Sequence, residues 1–162
     1  MKYSNEFLVG ITAHELFRNI AIKRGWEAKN ATKKQDIVDH IDIILTKHDL
    51  VCSFDVKAKK KISRSDAESQ DEWVFVEFKN VRGNDGWLKG KADFIAFETN
   101  NSFVIVKRKK LLEYCNDVVT MERVRDPYEC HYKRYTRSGR KDEISLIKLE
   151  EIPKDYKISW DK

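Results

Sequence analysis

Residues 36–60 read DIVDHIDIILTKHDLVCSFDVKAKK, two alternating apolar runs joined by a polar turn. Ile37, Asp39, Ile41, Ile43 and Leu45 fall on one side of the first run; Val38, His40, Asp42, Ile44 and Thr46 fall on the other. In the second run Val51, Ser53, Asp55 and Lys57 share one side, and Cys52, Phe54, Val56 and Ala58 share the opposite one. Both runs are rich in β-branched residues and of strand length, which predicts a β-hairpin. A two-residue turn at His48-Asp49 sets Thr46 opposite Val51, Ile44 opposite Ser53 and Asp42 opposite Asp55. Directly opposed residues on one sheet face have Cβ atoms about 4.5–5.5 Å apart. Two carboxylates that close raise each other's pKa unless a cation stands between them, and the same register brings Lys57 alongside. The spacing predicts a divalent-metal site with an ammonium group beside it.

Around this hairpin the composition fits one domain over residues 1–162. A chain of 162 residues can bury a substantial core without disulfides or metals. With 32 basic against 27 acidic residues, net charge +5, charge alone hardly favours a nucleic-acid partner. Its distribution says more, because basic residues crowd 57–61, 107–110 and 133–141. Cys52, Cys115 and Cys130 are odd in number, widely spaced and form no CxxC pair, so a reducing, intracellular compartment is expected. No signal peptide and no membrane-spanning apolar run is read.

Residues 4–23 read as a helix, with Ser4 as N-cap, Glu6 in the first turn and Gly25 as the stop. Glu15 falls among Leu8, Ile11 and Ile22 at helical spacing. It reads either as a carboxylate at the core's edge or as a third acid aimed at the metal; His14 reads as a surface residue. A short strand at 25–28 precedes the hairpin. Residues 59–72, KKKISRSDAESQDE, are charged and aperiodic and read as a mobile loop. WVFVEFKN at 73–80 is a strand, and NVRGNDGWLKG at 80–90 is a structured loop with three glycines. Strands at 92–98 and 102–107 form a second hairpin about Asn100-Asn101, residues that tolerate positive φ in tight turns. A helix at 109–119 and strands at 128–135 and 143–149 complete the chain. The fold class expected is α/β, a central mixed β-sheet flanked by helices, with extra C-terminal strands.

Phosphodiester hydrolysis needs an activated water and neutralisation of charge growing on phosphorus, both of which Mg²⁺ or Mn²⁺ supplies. Mg²⁺ takes oxygen ligands and keeps several waters, so Asp42, Asp55 and the Val56 carbonyl suffice to hold it. Lys57 is placed to orient or deprotonate water and to stabilise the transition state.

A helix bearing Glu, a strand, a strand bearing Asp and a strand bearing Asp-x-Lys together resemble the PD-(D/E)XK nuclease superfamily. That group includes restriction endonucleases and Holliday-junction resolvases. The motif spans residues 10–60, and the order of elements spans 1–119. The resemblance implies a restriction-endonuclease-like αβββαβ core and a metal-dependent deoxyribonuclease, with branched DNA among its substrates. It implies Asp42 and Asp55 as metal ligands, Lys57 as the catalytic lysine and Glu15 as the first-helix acid of resolvase-like members. Ile41, not proline, precedes Asp42, a departure that family often tolerates. GWLKGKADFIAFE at 86–98 is similar to small phage-type members, which implies action in a bacterial host.

Alternatives stay open at several positions. Glu77-Phe78-Lys79 is a second acid-x-Lys triplet on a strand and competes for, or supplements, the working site; Asp93 reads chiefly as a strand-end residue. Trp87 reads as a base-stacking or wedging residue or as a hydrophobic plug. Lys59, Lys60 and Lys61, with Arg134, Arg137 and Arg140 around Gly139, read as phosphate contacts or as solvated loops. DNA is the expected partner, and RNA stays open because the phosphodiester chemistry is shared. Resolvases are dimers, but no dimer surface is legible. The rival function is a catalytically inactive nucleic-acid-binding or protein-interaction module on the same fold.

Overall fold

The computed structural model describes residues 5–162, with side chains from Ala13 onward. The Ser4 cap and the side chains of Glu6, Leu8 and Ile11 lie outside the described residues. The chain is mixed α/β. Helix α1 (Asn5–Lys23) leads into strand β1 (Glu27–Asn30), and the hairpin follows as β2 (Ile43–Lys47) and β3 (Leu50–Lys57). Strand β4 (Trp73–Lys79) precedes β5 (Phe94–Glu98), β6 (Ser102–Lys107) and helix α2 (Arg108–Val118). Short strands β7 (Arg123–Val124) and β8 (Arg134–Tyr135) then lead to β9 (Glu143–Lys148) and β10 (Lys157–Asp161).

Two sheets form. Six strands run in the order β1-β2-β3-β5-β6-β10, and four in the order β4-β9-β8-β7. In the larger sheet β3 pairs parallel with β5, and every other pairing is antiparallel. The connection from β3 to its parallel neighbour carries β4 and a single 3₁₀ turn, Trp87–Lys89, rather than a helix. Strand β4 therefore leaves the main sheet.

The hairpin has the register read from its alternation. Thr46 pairs with Val51, Ile44 with Ser53 and Ile43 with Phe54, and His48 takes φ 54° in the turn. The first strand starts later than its alternation suggests. Residues Gln35–Asp39 form a π-helical turn that ends on His40 in the left-handed region. A reciprocal capping pair opens it: the Thr32 N–H donates to Gln35 Oε1 at 2.9 Å, and the Gln35 N–H donates to Thr32 Oγ1 at 3.2 Å.

Each face of the main sheet has its own core. Phe17 of α1 lies against Phe54, Phe103 and Trp160, with ring centroids 5.1, 5.3 and 5.7 Å away. Ile20, Ala21, Ile43, Leu45 and Ala96 complete that cluster. On the opposite face Ile95, Phe97 and Val106 pack with Val76 and Phe78 of β4, Ile147 of β9, Leu111 and Cys115 of α2, and Trp87 and Leu88. Side chains alternate along a strand, so Phe54 faces α1 while Asp55 and Lys57 face the second sheet.

Residues 59–72 fold back on themselves. Lys60 bridges Gln70, whose side chain caps both the N–H and the carbonyl of Trp73. The Asn100-Asn101 turn forms without positive φ at either residue; the Asn100 N–H is taken by Asp71 Oδ2 at 2.9 Å instead. Of the predicted strand 128–135 only Arg134–Tyr135 is extended, because Pro127–Glu129 coils into a 3₁₀ turn capped by Asp126.

The loop between β4 and β5 is fitted tightly. Gly86 has an ordinary φ of −79°, so its requirement is space. A Cβ there would stand 2.5 Å from the Glu77 carbonyl oxygen and 2.7 Å from Glu77 Cγ. Gly86→Ala is expected to lower stability by about 1–3 kcal/mol, as overpacking against backbone does. Urea denaturation measures this directly, and an unchanged midpoint would show that the contact is slack.

Candidate active site

The hairpin ladder changes character at Asp42. One residue beyond the Ile43–Phe54 pair, the Asp42 N–H donates to the Phe54 carbonyl at 2.8 Å. Its carboxylate turns inward and Oδ2 accepts the Val56 N–H at 2.7 Å. A side-chain oxygen thus takes a backbone donor of the neighbouring strand and fixes the Asp42 carboxyl at the level of Asp55. The Asp42 carbonyl accepts the Ala31 N–H at 2.9 Å.

Asp55 is 3% exposed. Its Oδ1 lies 3.0 Å from the Lys57 ammonium. Its buried Oδ2 has no donor among the described residues unless the neighbouring Asp42 carboxyl carries a proton. An unpaired buried carboxylate oxygen is costly and rare in folded proteins. Burial pushes the Asp55 carboxyl above the ordinary carboxylate range, and Lys57 pulls against that shift. Burial also raises Asp42, with the Asp55 charge adding to it and the Val56 N–H opposing.

A third carboxyl joins them. Asp36 is exposed, yet loss of part of its hydration and the Asp42 charge raise its pKa, which sets a third acid beside Asp42. Sequence reasoning missed Asp36. The π-helical turn carries it back over Asp42, and the Thr-x-x-Gln capping pair ahead of it was the available signal. Among the described residues no three His, Cys, Asp or Glu side chains stand as a ready-made metal cage.

Glu15 requires a correction. It is exposed, and among the described side chains the stripe that α1 buries is Ala13, Phe17, Ile20 and Ala21. Phe17 anchors that stripe on the Phe54 side of the sheet, so the helix covers the face opposite the acids, and Glu15 does not join them.

Of the two readings of Trp87, the buried plug is the one its surroundings fit. It is 7% exposed and presents no face on which a base can stack. Its ring stands T-shaped to Phe97 with centroids 6.0 Å apart, and the Lys57 ammonium lies 4.9 Å from its centroid.

The competing triplet sits in the other sheet. Glu77 and Lys79 flank a bulge in the β4–β9 pairing, and Lys79 Nζ is 3.9 Å from Glu143. Asp93 is structural: its Oδ2 accepts the Ser53 N–H and hydroxyl at 2.9 and 3.1 Å, pinning β3 to the start of β5.

The basic residues divide. Arg134 is 8% exposed, pairs with Glu143 and lies 4.0 Å from the centre of the Phe78 ring. Arg137 gives its guanidinium to the buried carboxylate of Asp142. Neither is placed as a phosphate grip. Arg140 is exposed beside Gly139. Lys59 reaches across to Asn100 Oδ1 at 2.8 Å, and Lys61 is half-buried. Lys60 is exposed, yet the chain packed around it takes enough of its hydration to lower the pKa of its ammonium, with the Lys57 charge adding and the Glu77 charge opposing.

All three cysteines are free thiols. Burial pushes Cys115 up to about 12 and Cys130 up to about 11, which makes both unreactive packing residues. Among the described residues no helix is long and apolar enough to cross a membrane. Neither a family model, nor a curated protein, nor a solved structure matches the chain.

Proposed function

We propose that the chain is a divalent-metal-dependent nuclease that hydrolyses DNA phosphodiester bonds, working at Asp42, Asp55 and Lys57. One observation carries the reading. A buried carboxylate oxygen without a partner, Asp55 Oδ2, stands beside a second carboxylate and an ammonium 3.0 Å from its twin oxygen. A fold tolerates such an orphan where a ligand completes it, and a hard cation with oxygen ligands suits two carboxylates. Mg²⁺ retains several waters and needs few protein donors, so a full protein cage is not required. Asp55 and Asp42 would hold it, with the Val56 carbonyl as the third donor. The bound ion supplies a Lewis-acidic centre and a water activated near neutral pH. Water would then form a new bond to phosphorus and give up a proton to solvent, as the bond to the leaving oxygen breaks and that oxygen takes a proton from solvent. The Lys57 ammonium orients the incoming water and donates to the phosphoryl oxygens, where negative charge grows.

The resemblance to PD-(D/E)XK enzymes supports the same assignment through the Asp and Asp-x-Lys spacing. On that reading β1, β2, β3 and β5 with α1 make up the restriction-endonuclease-like part, and β4 with β7–β9 is an addition. DNA, and branched DNA within it, rests on this resemblance alone, as does assembly into a dimer.

One observation favours the rival module without catalysis. Asp42 already commits an oxygen to the Val56 N–H, so its carboxylate also has a purely structural use. Titration calorimetry with Mn²⁺ separates the two, alongside Mg²⁺-dependent cleavage of plasmid, linear, single-stranded and branched DNA. Saturable Mn²⁺ binding and chelator-sensitive cleavage are expected. Salt-sensitive DNA binding with no Mn²⁺ uptake at millimolar concentration would favour the module.

A further inference from the structure

A lysine side chain is a flexible four-carbon stem with a compact charge at its tip, so a reaction that needs its ammonium at one point needs something to hold it there. Asp55 Oδ1, 3.0 Å away, fixes one direction. The second contact is the Trp87 ring, whose centroid lies 4.9 Å from Nζ, within the range at which a ring face attracts a cation.

The ring is itself held from several sides. Phe97, paired with Lys57 across the parallel ladder, stands T-shaped to the indole at 6.0 Å. Gly86, ahead of the ring, is pressed against Glu77. Gly90, behind it, would bring a Cβ to 3.0 Å from the Asp39 carbonyl oxygen and 3.1 Å from His40 Cβ. The buried Arg108 guanidinium ties the loop from beneath, donating to the Ala92 carbonyl at 2.6 Å and the Leu88 carbonyl at 2.9 Å. A side chain serving only as a core plug needs none of this alignment with a charged neighbour.

We propose that Trp87 is a positioning residue for the Lys57 ammonium, its indole face forming the floor that holds the charge beside Asp55. The inference rests on the nuclease reading of the site. Trp87 touches neither substrate nor metal in this assignment, and it acts through Lys57 alone.

Two measurements test it. The Lys57 ε-methylene protons, lying over an aromatic face, are expected at an upfield-shifted NMR position, assigned by its loss in Lys57→Arg. The shift should persist in reduced form in Trp87→Phe and vanish in Trp87→Leu. For cleavage, Trp87→Leu is expected to lower kcat by about 10–100-fold, the scale of a misplaced catalytic group. Trp87→Phe should recover most of that loss, with KM and Mn²⁺ affinity held within about twofold in both. The phenylalanine variant keeps a ring in the core, so the test stands even if the leucine variant fails to fold. Active wild type with an unshifted Lys57 overturns the inference alone. So does equal activity in all three proteins, or a loss confined to KM. Wild type that cleaves no substrate, with the Lys57 shift intact, overturns the nuclease reading and this inference with it.

Discussion

Asp55→Asn is expected to lower metal-dependent cleavage by about a thousandfold and, in the same protein, to raise stability. The activity loss follows from removing a charged ligand and the counter-charge that fixes Lys57, losses of the order seen when one preorganised electrostatic group is deleted. The stability gain follows from the orphan oxygen. Asp55 is buried with Oδ2 unpaired, and burial outweighs Lys57 in setting its protonation, so the charged form is disfavoured in the fold. A neutral amide relieves that cost, by about 1 kcal/mol or roughly 2–4 °C in a chain of this size. The pH dependence carries the same signature. Asp36, Asp42 and Asp55 all have pKa values raised by folding, so between about pH 4 and the raised values the native state binds more protons than the unfolded one. Metal-free stability therefore falls as pH rises through that window and levels off above it. Asp55→Asn should flatten the slope, and Mn²⁺ should stabilise wild type at neutral pH but not the variant. Thermal melts from pH 4 to 8, with and without Mn²⁺, read all three effects. Parallel curves for the two proteins would show that Asp55 carries no such load.

Lys57→Met is expected to silence the site from the opposite side. Cleavage should fall by about 10²–10³-fold, the span seen when one donor to a developing oxyanion is removed, while Mn²⁺ affinity holds or rises because no ammonium competes for Asp55. Here metal-free stability should drop, since Asp55 loses the ammonium paired with it. The Lys57 end of that pair is partly solvated, so the drop is on the order of 1–2 kcal/mol rather than the full cost of stranding a buried charge. Two neighbouring substitutions, both inactive, thus move stability in opposite directions. Calorimetry and denaturation on the pair distinguish a metal site from an ordinary buried ion pair, for which both variants would be destabilised and neither would bind Mn²⁺.

The hairpin was legible because everything that specifies it is local. Alternation, a two-residue turn and a run of β-branched residues fix the Asp42–Asp55 level without reference to the rest of the chain. Legibility failed where a choice depended on distant partners. Helix α1 offers two apolar stripes, and only the aromatic cluster of Phe54, Phe103 and Trp160 selects the one through Phe17, turning Glu15 outward. Strand β4 has a strong strand pattern, but nothing within it tells that its partner is β9 instead of β3. Strand β10 holds only Ile158 and Trp160 as apolar signals and forms against β6, more than fifty residues earlier in the chain. The arginines near Gly139 read as solvent-facing because the carboxylates that bind them, Asp142 and Glu143, looked like ordinary charges of the next strand. Asp36 was hidden by the π-helical turn, whose wider winding escapes a search tuned to 3.6-residue and two-residue periods.

The two glycines either side of Trp87 make the loop a spacer of fixed thickness. One end bears on β4 of the smaller sheet and the other on Asp39 and His40, a few residues ahead of the hairpin acids. Neither position leaves room for a methyl group, so the loop lies without slack against both, and the indole that carries the Lys57 ammonium sits between the two points.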